Sequence, residues 1–533
     1  MTIMYLKSLN FLTAFLIFLP FLGMAQTYDL LLTGGKIVDG TGNAWFYGDV
    51  AIKDGKIAAV GKLPTVGAVR VIDVKGLIIA PGFIDVHAHI ESSGLEIPTA
   101  DNFIFDGVTS VVTGNCGGSN TDLVRYFFQL DSVRTSINVA TLIGHNSVRR
   151  AAMGNSQRDP TPEEQARMEQ LVEQAMRDGA VGISSGLIYV PGTYSKTPEV
   201  VGLAKAAAKY NGVYASHIRS EGDHVTEAIE EAINIGRQAN IPVEISHFKV
   251  TYKPNWGRSV KTLQLVEQAR KKGIEVTIDQ YPYIASSTSL NTLVPTWVFS
   301  GGKDSVQYRL NDPSIRKEIK AEMKKNLKRK KMKDFSYAVV ARYSHDSTLN
   351  GKNISEINGA KGRGGKVMDE AETILEMVSH GSAQMVFFSM NEDDLQRIMQ
   401  YPFNMFASDA GIPRFGHGSP HPRAYGTNAR VLGHYVRSLN IIRMEEAIRR
   451  MTSLPAQKFQ LRDRGLIREG MAADVVVFDE ETVSDQSTFE KPHAFSKGFE
   501  YIIVNGSITM EQGKHTGGRN GQVLKGPGYG LPY

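Results

Sequence analysis

The chain has a single cysteine, Cys116, among 533 residues. No disulfide can form within it, so the fold cannot rest on covalent cross-links. It also lacks an excess of either charge: 60 basic against 55 acidic residues leave a formal net charge of +5. Nucleic-acid binders concentrate basic charge on one face, and this balance speaks against a nucleic-acid partner. One apolar run stands out, residues 11–22, and it is too short for a comfortable membrane span, with Pro20 interrupting it. Lys7 before it and Gly23-Met24-Ala25 after it give the pattern of a secretory signal peptide, cleaved after Ala25. An uncleaved anchor is the alternative. The expectation is an exported protein, periplasmic or secreted. In that oxidising setting a lone thiol is buried and inert, catalytic, or held on a metal.

What is present is ordinary globular material, 42% apolar and 22% charged. The length suits one large domain and a smaller one. Residues 26–80 read as short strands and turns, and the same pattern returns within 456–533. A β-sandwich assembled from both ends of the chain is the expectation. Between them, residues 81–455 alternate strand and helix. Eight apolar strands are expected at 83–86, 108–112, 138–143, 180–183, 213–215, 243–245, 274–278 and 403–407. Segments 162–176 and 225–238 carry the three- and four-residue apolar spacing of helices. Eight such alternations favour an α/β fold of the (β/α)8 TIM-barrel type. An insertion after the seventh strand, about 296–366, breaks the rhythm. Its lysine-rich run 317–333 reads as a solvated helix, and the insertion itself as a lid over the barrel mouth.

Metal-ligand side chains recur at the carboxyl ends of these strands. His87 and His89 end the first, and Cys116 follows the second. His145 follows the third, His217 the fifth, His247 the sixth, Tyr281 the seventh and Asp409 the eighth. In this fold those ends share one face, where active sites lie. His87-Ala88-His89 has the i, i+2 spacing that puts both rings on one side of a strand. Zinc takes thiolate, imidazole and carboxylate ligands, and a catalytic site keeps one position for water. The metal lowers that water's pKa from about 15.7 toward 7 and polarises a carbonyl. A nearby carboxylate, Asp409, is the candidate to take the proton and pass it to a leaving nitrogen. Lys249 and Arg423 offer fixed cationic donors for a substrate carboxylate; surface or structural pairing is their alternative. Tyr281 and Ser287 lie near the same mouth. Arg219 and Glu221 serve either to brace His217 or to touch substrate, and His417 and His421 read as loop structure.

Several segments carry a family likeness. They are Pro81-Gly82-Phe83-Ile84-Asp85-Val86-His87-Ala88-His89, Gly114-Asn115-Cys116-Gly117, Gly186-Leu187-Ile188-Tyr189 and Ser216-His217-Ile218-Arg219-Ser220-Glu221-Gly222. Ser246-His247-Phe248-Lys249, Ala407-Ser408-Asp409 and His421-Pro422-Arg423 complete the set. In these the chain resembles the D-aminoacylase, or N-acyl-D-amino-acid deacylase, branch of the amidohydrolase superfamily. Most relatives there bridge two metals with a carboxylated lysine; this branch uses cysteine. The resemblance implies a tight zinc site on Cys116, His217 and His247. It implies a second, weaker position on His87, His89 and Asp409, with Cys116 able to bridge and Asp409 as general base and acid. It places Tyr189, Lys249 and Arg423 on the substrate. The implied substrates are small N-acyl-D-amino acids, or dipeptides with a D-residue at the carboxyl end. Two other readings compete. A cyclic amidohydrolase acting on hydantoins or dihydroorotate usually calls for the lysine bridge, and Cys116 speaks against it. A non-catalytic binding protein on the same scaffold would have lost metal ligands, and all the expected ones are here.

Overall fold

The computed structural model describes residues 28–65 and 67–531. The expected signal peptide lies outside the described residues. Five strands from Tyr28–Ile37 to Ile78–Pro81 join four from Val475–Phe478 to Lys514–His515 in one nine-stranded sheet. The two ends of the chain meet where Ile78–Pro81 runs antiparallel to Val475–Phe478. Hydrogen bonding runs unbroken from one contribution to the other, with Ala68–Asp73 branching off the path at Tyr28–Ile37. The two contributions share a core: Leu32, Val50 and Ile52 pack with Val475, Val477 and Ile503.

The sheet feeds directly into the barrel strands. Two residues after Pro81, Phe83–Asp85 begins the first, and Gly82 N–H donates to the Asp474 carbonyl. Parallel neighbours follow in chain order as two arcs. The first holds Phe83–Asp85, Val108–Thr113 and Asn138–Thr141. The second runs from Ile143–Gly144 through Gly182–Gly186, Val213–His217, Val243–Ile245 and Val276–Gln280 to Asn404–Phe406. The arcs adjoin at Leu142, and a parallel bridge between Ala88 and Ala410 links the first strand to the eighth. All these strands are buried, as apolar β-rich runs flanked by helices should be. Helix Pro162–Asp178 shows why the helices sit where they do. Thr161 and Glu164 form a reciprocal cap at its start, Gly179 at φ 118 ends it, and Met168, Val172, Ala175 and Met176 make its buried stripe. A core of Ile84, Val86, Val112, Ala215, Met405 and Ala407 lies among the strands. His87, Cys116, His217 and Asp409 each follow one of these apolar residues within four positions.

The insertion is larger than the expected 296–366. Ala285–Ser289 pairs antiparallel with Gln384–Phe388, which also pairs with Ala338–Arg342. The unit therefore spans 285–388 and has its own core, including Leu290, Leu310, Ile319, Met323, Ile374 and Met385. Its first strand reads Ala-Ser-Ser-Thr-Ser, a composition with weak strand preference. Pairing with Gln384–Phe388 creates that strand, and local sequence does not announce it.

Helix Arg423–Arg430, which begins at a candidate substrate residue, is kinked at Gly426, φ −137° and ψ 23°. The buried carboxyl of Asp106 accepts from Asn428 N–H, Asn428 Nδ2, Ala429 N–H and Ser496 Oγ. Burial nonetheless pushes its pKa up to about 7. A carboxyl raised in this way stabilises the fold most below its ordinary pKa, and that contribution is lost as pH rises through about 7. Asp85, raised by burial to about 6, acts in the same direction. Asp106→Ala should therefore cost about 1–3 kcal/mol by stranding buried donors. Asp106→Asn should reduce the fall in denaturation midpoint between about pH 4 and pH 7. Midpoints that match wild type at every pH would refute this role.

Candidate metal centre

The turn after the second barrel strand is dictated by its glycines. Gly114, Cys116 and Gly117 have φ of 77, 52 and 76°, the left-handed region open chiefly to glycine. A Cβ on Gly117 would collide with Asn146 Oδ1, and one on Gly114 with the Leu142 carbonyl. Cys116 is thereby aimed at the rim. His247 and Asp409 also sit at positive φ, 37 and 49°. Such backbone costs on the order of 1–3 kcal/mol per residue and clusters at functional positions.

These three side chains converge with three more. Cys116 Sγ lies 3.3 Å from His87 Nε2, 3.4 Å from His217 Nδ1 and 3.7 Å from His247 Nε2. Asp409 Oδ1 lies 3.2 Å from His89 Nε2 and 3.6 Å from His87 Nε2. Three donor sets gather closely enough to hold an ion: Cys116 with His217 and His247, His87 with His89 and Cys116, and His87 with His247 and Asp409. Tetrahedral zinc with bonds of about 2.3 Å to sulfur and 2.0–2.1 Å to nitrogen separates those ligands by ~3.5 Å. The two sulfur–nitrogen distances of the first set, 3.4 and 3.7 Å, bracket that value. His217 Nδ1 and His247 Nε2 are closer, 2.7 Å, against the ~3.3 Å that two nitrogen ligands would keep. Two imidazole nitrogens and a sulfur, all Lewis bases, facing one another at this range fit a shared cation.

The cluster sets opposite charges against one another: burial opposes the charge on His87, His89 and His247, but the anionic groups beside them raise all three, His89 to about 10. Burial alone would raise the Cys116 thiol, but the charge of His87 and hydrogen bonds from His217 and His247 hold it well below its ordinary range, toward the thiolate, the form that binds metal. Burial likewise opposes the charge on Asp409, yet Arg423, His87 and His89 hold it well below the carboxylate range. His217 is lowered by burial and by the neighbouring His247 charge, which favours the neutral ring that can ligate.

Three carboxylates orient the donors: Asp279 and Asp85, which the sequence reading did not single out, and Glu221, which it did. Asp279 Oδ2 accepts from His87 Nδ1 at 3.2 Å, and its Oδ1 accepts from His247 N–H at 2.8 Å. The first bond fixes the His87 tautomer with Nε2 free for the cluster. Asp85 accepts from His87 N–H and Ser408 N–H, tying the first strand end to the eighth. Glu221 Oε1 lies 2.6 Å from Lys249 Nζ and 3.0 Å from His247 Nδ1. Asp279 and Asp85 had a signal in the sequence: a carboxylate inside a buried apolar strand needs a partner.

Around this cluster the other expected residues take varied positions. Arg423 is buried, with Nη1 2.9 Å from Asp409 Oδ2 and Nη2 donating to the Ser287 carbonyl. The Tyr281 ring lies 4.4 Å from the Arg423 guanidinium and 5.5 Å from Lys249 Nζ, a cation–π platform, and its hydroxyl faces Met390 Sδ. Tyr189 packs edge-on against His217 and bonds Thr288 through its hydroxyl. It also lines a cavity of about 610 Å³ together with Glu221, Ser286, Thr288 and Leu293. Ser287 Oγ accepts from Gln384 Nε2. Arg219 chelates Glu231 and so braces the turn after His217. His145 is spent away from the donor cluster, paired with Glu199 at 2.8 Å beside Arg149. His421 bonds the Ala285 carbonyl and the Arg423 N–H, joining the insertion to the loop after Asp409.

Residues 70–510 match the Amidohydrolase family model, Amidohydro_3. The chain belongs to that family. It is an amidohydrolase with the (β/α)8 fold and a metal-binding site. It is 35% identical over 523 residues to a D-aminoacylase of Alcaligenes xylosoxydans xylosoxydans, covering 94% of this chain and 98% of that protein. The crystal structure of an N-acyl-D-glutamate deacylase from Bordetella bronchiseptica, complexed with zinc and a phosphonate inhibitor, superimposes with a TM-score of 0.81 at 35% identity. That match covers 94% of this chain and 100% of that one. A D-hydantoinase structure gives a TM-score of 0.54 at 15% identity over 93% of this chain and 98% of that one, a likeness of fold alone.

If Asp279 orients His87 and His247, Asp279→Asn should weaken zinc binding about 10–100-fold, measured by competition with a chromophoric chelator. Unchanged affinity in a folded variant would show that the carboxylate is not needed.

Proposed function

We propose that this amidohydrolase is a zinc-dependent N-acyl-D-amino-acid deacylase. It releases a carboxylate and a free D-amino acid, and dipeptides with a D-residue at the carboxyl end fall within its range. The observation that carries the reading is the donor cluster built on Cys116, with buried Asp409 and Arg423 beside it. Whole-length similarity to proteins named as deacylases supports it. Cys116, His217 and His247 would hold the tight zinc, with His87, His89 and Asp409 as a second, weaker position. Bound there, zinc supplies Lewis acidity that polarises the scissile carbonyl and makes water acidic enough to attack near neutral pH.

The chain's own groups do the rest. Asp409 is ionised in the resting site and so acts as the base. One of its oxygens takes a proton from the attacking water as oxygen bonds to the carbonyl carbon, then returns it to the nitrogen as the C–N bond breaks. Arg423 Nη1 is paired with Asp409 Oδ2 at 2.9 Å, and the rest of its five-donor fork suits a substrate carboxylate beside the metal cluster, with Lys249 as the second cation and the Tyr281 ring facing both. Tyr189 and Ser287 border the substrate. Fixing the α-carboxylate and the scissile carbonyl leaves the side chain as the third point, and a site that accepts it on one side only selects D over L. We further propose export, on the apolar run 11–22 with Lys7 before it and Ala25 after it.

Paired N-acetyl-D- and N-acetyl-L-amino acids test the stereochemical claim: the D-forms should be hydrolysed with kcat/KM higher by about 100-fold, the order of discrimination a pocket wall gives against a misplaced side chain. Comparable rates on L-forms would remove it. Asp409→Asn should lower kcat by roughly 10²–10⁴. Cys116→Ala should lose tightly bound zinc by metal analysis, and full zinc retention would overturn the assignment of that ligand.

A further inference from the structure

The cavity beside the donor cluster carries four cationic or titratable nitrogen side chains: Arg219, His224, Arg329 and Lys330. Three are answered by carboxylates. Arg219 pairs with Glu231 at 3.0 Å, Arg329 with Asp223 at 3.0 Å and His224 with Glu227 at 3.8 Å. The cavity's own acids are answered too, Glu221 by Lys249 and Asp223 by Arg329. Lys330 differs. Among the described residues no carboxylate lies within ion-pair distance of it, and its ammonium rests 4.4 Å over the Tyr252 ring. Tyr252 lines the same cavity. A ring face holds a cation in place without neutralising it or using up its N–H donors.

Lys330 also has a fixed base. It caps the carboxyl end of helix Pro313–Arg329, where the helix dipole favours a cation. Ile319, Met323 and Leu327 anchor that helix in the insertion's core, and Arg329 ties its last turn to Asp223 on the barrel rim. The cation is thus held in a cavity that reaches Tyr189 and Glu221 of the proposed active site. At about 610 Å³ the cavity has room for far more than an acetyl group and one small side chain.

We propose that Lys330 is a specificity-determining residue that binds a second carboxylate on the substrate, distinct from the α-carboxylate held by Arg423 and Lys249. This rests on the deacylase reading above. The second carboxylate comes either from the side chain of an acidic D-residue or from the far end of a dicarboxylic acyl group. Both present the same chemistry to the ammonium. Lys330 supplies charge-assisted hydrogen bonds to it, and Leu293 and the Tyr252 ring line the path.

Matched substrate pairs separate the two sources. N-acetyl-D-glutamate against N-acetyl-D-glutamine tests the side chain; N-succinyl-D-leucine against N-succinamoyl-D-leucine tests the acyl group. In at least one pair the dianion should have a kcat/KM about tenfold higher than its neutral isostere. Lys330→Met should bring that ratio to about one, and Lys330→Arg should keep most of it. Calorimetric binding of the same pairs to the full-length, zinc-free protein gives a readout independent of turnover. Equal affinity within both pairs, or a preference that survives Lys330→Met, would overturn the proposal. Absence of turnover on every D-substrate with the binding preference intact would sink the deacylase reading and leave the Lys330 contact standing.

Discussion

One sulfur organises this molecule. Cys116 Sγ is the atom within reach of three imidazoles borne by three different barrel strands. No disulfide competes for it, and the surrounding histidines favour its ionised form. The price of placing it is paid in backbone conformation, at Cys116 and again at His247 and Asp409. Those residues are held where unconstrained side chains rarely sit because strands, glycines and buried carboxylates fix them from several sides. A cation shared among the donors would relieve their mutual repulsion, so binding and architecture reinforce each other.

The outer layer of carboxylates explains why so many acidic groups are buried around one cluster. Asp279 faces two histidines, Asp85 ties the first strand end to the eighth, and Glu221 touches Lys249 and His247. None of the three is among the donors in reach of a common ion. Each fixes the direction in which a ligand or a cation points. A loosely oriented ring would present the wrong nitrogen as often as the right one.

Much of this was legible in the chain. The strand positions and the six donors follow from apolar strands ending in His, Cys or Asp, and the structure brings the six donors together; Lys249 and Arg423 follow from the family resemblance. Other features depend on contacts the sequence does not advertise. Strand Ala285–Ser289 exists because Gln384–Phe388 pairs with it. His145 looked like a rim residue by position, but its ring lies buried on Glu199. Tyr281 was expected near the mouth, and its contribution is an aromatic face under two cations, with the hydroxyl turned to a methionine. Lys330 lay inside a run that reads as a solvated helix. Only the fold separates it from its neighbours, by placing it on the cavity with its ammonium over the Tyr252 ring.

The nine-stranded sheet has a consequence for how the chain acquires its shape. Strand Ile78–Pro81 leads straight into the barrel, yet its partner Val475–Phe478 lies beyond the barrel's last strand. A growing polypeptide can build every barrel strand while the edge of Ile78–Pro81 that faces Val475–Phe478 stays unpaired. Edges of that kind invite association with other chains. The stretch that carries Val475–Phe478 is therefore a guard against aggregation, and it is made after the barrel it protects.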